Sequence, residues 1–79
     1  MDTTRATAKR VEDVRVSRGL NRKDLAEAAG ISRPTLYRSL DGFRPFTVDE
    51  IDRLGRALDI EPASLLRFVG PDDAKAVAS

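Results

Sequence analysis

A chain of 79 residues allows one small domain and no second one. With 41% hydrophobic and 34% charged residues, no Cys and no His, it reads as globular; disulfides, thiolate metal sites and histidine-based catalysis are excluded. The net charge of +1 hides a division: residues 1–45 carry ten basic side chains against six acids, residues 46–79 four against seven, and such a basic half is a footprint to test against a polyanion.

Helix punctuation is frequent along the chain. Thr4 to Arg18 carries Ala8, Val11 and Val14 at helical spacing, and Gly19 followed by Leu20 marks its C-terminal cap. Asn21 is placed to cap a second helix, Arg22 to Ala29, which buries Leu25, Ala26 and Ala29 and stops at Gly30. Ile31 is apolar inside a very short connection and is expected to plug the core. Ser32 then caps a third helix, with Pro34 in its first turn, running to Leu40 and ending at Asp41-Gly42. Gly42 to Phe46 is the longest irregular stretch, with Phe43 and Phe46 expected as core anchors. Thr47-Val48-Asp49-Glu50 is a capping box, and the helix it starts shows an apolar stripe of Val48, Ile51, Leu54, Ala57 and Leu58. Pro62 opens a last short helix with Leu65, Leu66 and Phe68 on its apolar face, stopped by Gly70-Pro71. No strand alternation or internal repeat occurs. The expectation is an all-α fold of five short helices, with a domain at residues 1–70 and a short tail at 71–79.

The junction between the second and third helices is the informative piece. Ala26 is small where the third helix crosses it, Gly30 permits the tight turn, and Ile31 with Leu36 locks the two helices at a fixed angle. That is helix-turn-helix geometry. The segment "RVEDVRVSRGLNRKDLAEAAGISRPTLYRSLDG" resembles the first three helices of the Cro and phage-repressor type, the xenobiotic-response-element-like regulators. "FTVDEIDRLGRALDIEPASLL" resembles the two helices that complete that family's five-helix domain, so the likeness runs from about Arg10 to Leu66. Three positions depart from the family's habit: Arg22 stands where Gln is usual, Ser39 where an aliphatic residue is common, and Glu61 where Ser is frequent.

The resemblance implies a transcriptional regulator, phage or bacterial, that binds double-stranded operator DNA with the third helix in the major groove. Arg33, Pro34, Tyr37 and Arg38 are then the base-contacting candidates. Arginine suits the O6 and N7 acceptors of guanine, and proline offers an apolar contact to a thymine methyl. Arg22, Lys23, Ser32, Thr35 and Arg44 are the phosphate candidates, with Arg10 a weaker one. The plainer readings are a solvated charge for each arginine, a side cover of the core for Tyr37, a helix cap for Ser32 and an i+4 pair with Glu27 for Lys23.

No enzyme is expected, because Asp49, Glu50 and Asp52 cluster only at an exposed helix start, where acids belong electrostatically. The competing class is a protein-interaction module, such as an antitoxin, on the same fold; Arg33 and Arg38 on the third helix argue for DNA. A homodimer would use the last helix through Leu65, Leu66, Phe68 and Val69. No cofactor, metal or small-molecule ligand is expected. With no apolar run of the roughly 18 residues a membrane span needs and no signal-peptide core, the expected location is the cytoplasm.

Overall fold

The structure, a computed structural model, describes residues 3–66. The first helix, α1 (Thr3–Ser17), turns Thr7, Ala8, Val11 and Val14 into the interior at i, i+3 and i+4 steps. It closes with the Leu20 N–H on the Arg15 carbonyl at 3.2 Å and the Gly19 N–H on the Val16 carbonyl at 3.0 Å. Asn21 then accepts the Asp24 N–H at 2.7 Å and starts α2 (Arg22–Ala29), whose Leu25, Ala26 and Ala29 are buried as their spacing predicts. After Gly30, α3 (Arg33–Leu40) packs Leu36, Ser39 and Leu40 inward. The box of Thr47 and Glu50 forms in both directions and opens α4 (Val48–Leu58), which buries Ile51, Leu54, Gly55 and Leu58.

One core joins these helices: Val11, Leu25, Ala26, Leu36, Leu40, Ile51, Leu54, Leu58 and Leu65 are in a single cluster. Leu20, Ile31, Tyr37 and Phe46 cover its margins, so Ile31 does plug the connection and Phe46 does anchor the loop. Among the described residues there is no strand, and no helix is long and apolar enough to cross a membrane.

Four sequence expectations need correction. Among the described residues there are four α-helices, not five, because Pro62–Leu65 forms a single 3₁₀ turn. Four residues are a usual length for such a turn, and here the Glu61 carbonyl accepts both the Ser64 N–H at 2.9 Å and the Ser64 hydroxyl at 2.7 Å. The turn suffices to sink Leu65 completely, whereas Leu66 stays at the surface. Val48 is exposed, since it is the first residue of α4 and lies about 70° from the centre of the buried arc. Phe43 is 75% exposed rather than a core anchor. Its N–H closes α3 on the Arg38 carbonyl at 2.9 Å, so the apolar partner that usually meets such a closing residue is here an arginine. Ser32 occupies the N-cap position of α3 but makes no cap bond, its hydroxyl donating to the Thr35 hydroxyl at 2.8 Å. Phe68, Val69, the Gly70-Pro71 stop and the tail lie outside the described residues.

Candidate nucleic-acid interface

Local chemistry makes the turn between α2 and α3 rigid. Gly30 has φ +69°, a left-handed conformation that a side chain disfavours, and it lets the Ile31 N–H reach back to the Ala26 carbonyl at 3.0 Å. Ala26 is 1% exposed, so its methyl is all that fits beneath the crossing helix. From α4, Arg53 reaches the Gly30 carbonyl at 3.4 Å while pairing with Asp49 at 2.8 Å. The third helix is therefore held by its packing on α1 and α2, and the turn that leads into it is braced from α4.

With Leu36, Ser39 and Leu40 inward, Pro34 and Arg38 are exposed on the opposite side, Arg33 is exposed as the first residue of the helix, and Tyr37 is half-buried at the margin. Arg38 and Lys23 make no side-chain hydrogen bond or ion pair among the described residues. Arg33 has only a loose tie, Nη2 to Glu27 Oε1 at 3.5 Å, with both side chains more than half exposed. Glu27 thus points to Arg33 rather than to Lys23. The two hydroxyls of Ser32 and Thr35 bond each other, which leaves the first N–H groups of α3 without a side-chain cap. That end of the helix carries a partial positive charge.

Other basic candidates are tied inside the protein. Arg22 pairs through Nη1 with Asp41 at 3.1 Å and through Nε with Glu12 at 3.4 Å, and its guanidinium lies 5.7 Å from the centre of the Tyr37 ring. Glu12 also takes two bonds from Arg15, at 2.8 and 2.9 Å, and Arg15 donates onward to the Leu20 carbonyl at 2.7 Å. Burial raises the Glu12 carboxyl's pKa, but the Arg15 bonds and the charges of Arg22 and Arg15 together outweigh it, so the group is held below its ordinary 4.5. Arg44 donates from Nη1 to the Ser39 hydroxyl at 2.7 Å and to Glu50 at 3.1 Å. Arg10 faces the 3₁₀ turn, its Nε on the Ser64 carbonyl at 3.2 Å. Sequence reasoning missed the Glu27–Arg33 tie, the Arg53–Gly30 brace and the Arg44 contacts. A serine in an otherwise apolar position of α3 was the only local sign of the last.

Residues 10–72 match the family of Cro/C1-type HTH DNA-binding domains. The chain belongs to that family. Its structure is similar to that of the restriction-modification controller protein C.AhdI from Aeromonas hydrophila, with 31% identity, 78% of this chain and 94% of that one covered, and a TM-score of 0.75. A hypothetical transcription factor NHTF from Neisseria shares the fold at 20% identity, covering 96% of this chain and 85% of that one with a TM-score of 0.78. The restriction-modification controller protein C.Esp1396I does so at 14% identity, covering 80% and 81%, with a TM-score of 0.74. No curated protein matches the sequence. Arg38, unpaired among the described residues, and the loosely held Arg33 are both exposed on α3.

Proposed function

We propose that this domain regulates transcription by binding a specific operator in double-stranded DNA, as a phage or bacterial regulator, with α3 in the major groove. The observation that carries the reading is the free surface of α3: Arg33 and Pro34 in its first turn, and Arg38 one turn on from Pro34, are all exposed while the core grips Leu36, Ser39 and Leu40. Arg33 and Arg38 then read guanine edges, Pro34 meets a thymine methyl, and Tyr37 lies at the edge of the contact. Lys23 and the uncapped start of α3, with Ser32 and Thr35, take the backbone phosphates. Arg22 and Arg44 already hold carboxylates, so their share in phosphate binding is secondary. Leu66, with Phe68 and Val69 beyond the described residues, is the surface through which two copies would pair on half-sites about 10 bp apart, whereas Leu65 is wholly taken up by the core. The likeness to C.AhdI favours a controller of neighbouring restriction-modification genes as the setting.

The test is duplex binding at several salt concentrations, using DNA from beside the chain's own gene and a pool of random duplexes, with Arg33→Ala for comparison. The expected result is specific binding by the native chain and a loss of about 1–3 kcal/mol of discrimination in the variant, with little change in salt slope. A native chain that binds no duplex better than random DNA sinks the reading and leaves the fold serving a protein partner.

A further inference from the structure

We propose that Arg44 is a positioning residue for the recognition helix, acting through Ser39 and Glu50, rather than a ligand of the DNA backbone. The inference rests on the operator-binding reading above. Ser39 is 0% exposed, and a hydroxyl buried that deeply needs a partner. It lies beside Arg38 in α3, and the Arg44 guanidinium bonds it at 2.7 Å from the following loop. The same nitrogen lies 3.1 and 3.2 Å from the two oxygens of Glu50. Glu50 is largely buried as well, and its Oε1 accepts the Thr47 N–H at 2.9 Å in the capping box of α4.

One guanidinium nitrogen thus joins the last turn of α3, the loop and the first turn of α4. Closure of α3 itself ends at Phe43, and among the described residues no backbone hydrogen bond ties residues 44–46. The side-chain node anchors that stretch together with Phe46, which packs against the core. Each of the two hydrogens on Nη1 has an acceptor. Turning Nη1 toward a phosphate would leave a buried hydroxyl without its donor and a mostly buried carboxylate without its cation, a cost that one solvent-exposed phosphate contact does not offset. Holding the node fixes where Arg38, the neighbour of Ser39, stands on the groove-facing side.

Two variants separate this role from a phosphate contact. Arg44→Lys keeps the charge but loses the planar fork that serves both acceptors. Glu50→Gln keeps an acceptor for the Thr47 N–H but releases Arg44 from its carboxylate. The proposal expects each to lower the ratio of specific to random-duplex affinity about tenfold. It also expects faster amide hydrogen exchange at Asp41, Gly42 and Phe43 in the free protein, with exchange in α1 unchanged. Arg44 acting on a phosphate predicts the reverse: an unchanged ratio for Arg44→Lys, and tighter binding to every duplex for Glu50→Gln. Either of those results, or unaltered exchange at Asp41–Phe43, overturns the inference while the operator reading stands. If the native chain has no duplex preference, the operator reading fails first, and the exchange measurement alone then decides whether Arg44 holds the end of α3.

Discussion

Gly55→Ala sets two well-measured effects against each other, and the geometry decides which wins. The residue lies inside α4, where replacing Gly by Ala in an open position stabilises a helix by about 0.8–1.0 kcal/mol. Here a methyl would lie 2.7 Å from Pro62 Cγ, 2.8 Å from Pro62 Cα and 3.0 Å from Pro62 N. Carbon atoms pack at about 3.5–4.0 Å, so Pro62 must retreat by most of an ångström. Two of the three close atoms are backbone, and that backbone leads into the 3₁₀ turn that seats the fully buried Leu65. It cannot swing aside as a flexible side chain would. Overpacking of this kind costs about 1–3 kcal/mol, which leaves a net destabilisation of about 1 kcal/mol after the helix gain. Urea unfolding followed by helical circular dichroism reads this directly. With a slope near 1 kcal/mol/M for a chain of this size, the midpoint should fall by about 1 M without a change in slope. A midpoint equal to or above the native one would mean that the 3₁₀ turn is free to move away from α4, and the close packing argued here would be wrong.

Other perturbations separate the remaining parts of the argument. Lys23→Ala should weaken binding to specific and random duplexes alike and reduce the magnitude of the log affinity versus log salt slope by about 0.9, the signature of one lost phosphate contact; an unchanged slope removes Lys23 from the interface. Because the folded-state pKa of Glu12 is depressed, its stabilising contribution is present above its ordinary 4.5 and disappears as pH falls through the lower folded value. Glu12→Gln should therefore be less stable than the native chain at neutral pH, with the difference shrinking in acid, and a gap that stays constant down to pH ~3 would contradict the assignment. Gly30→Ala should cost about 1–2 kcal/mol in thermal or urea unfolding, because φ is +69° there. The neighbouring group at 3.1 Å is the mobile end of Arg53, so strain in the backbone rather than a clash sets the cost.

What could be read in advance divides by the range of the interaction. The Asn21 cap, the Thr47–Glu50 box and the glycine closures of α1, α2 and α3 are written within a few residues of one another, and all of them formed. Leu25, Ala26, Ala29, Leu36 and Leu40 were equally legible, because helical periodicity alone assigns their faces. Val48 fits the same apolar period but stands at the first residue of its helix, where the neighbours that cover Ile51 no longer reach; periodicity carries no information on where cover ends. The arginine braces were not legible at all. Arg10 bonds a carbonyl 54 residues away, Arg18 one 40 residues away and Arg53 one 23 residues away, and no local pattern announces such partners. For the candidate site this matters most at Arg22 and Arg44, which share their residue type with Arg33 and Arg38 but not their surroundings.

The pairing of charges also changes what the basic half of the chain can mean. Ten cations against six acids in residues 1–45 read as a surface for a polyanion. Yet Lys9 pairs with Asp13, Arg15 and Arg22 share Glu12, Arg22 also pairs with Asp41, Arg44 takes Glu50 from the acidic half, and Arg10 and Arg18 terminate on carbonyls. Much of the basic surplus thus braces the fold. On the operator-binding proposal, what remains toward a duplex among the described residues is Lys23, Arg38, a loosely tied Arg33 and the open end of α3. On that proposal, an interface with so few unpaired cations should show a shallow salt dependence and weak binding to arbitrary DNA. Discrimination must then come from the side chains that touch bases and from the rigidity with which the core, Arg53 and the Arg44 node hold α3. In such a domain a lost brace and a lost base contact reduce specificity alike, and only the salt slope and amide exchange tell them apart.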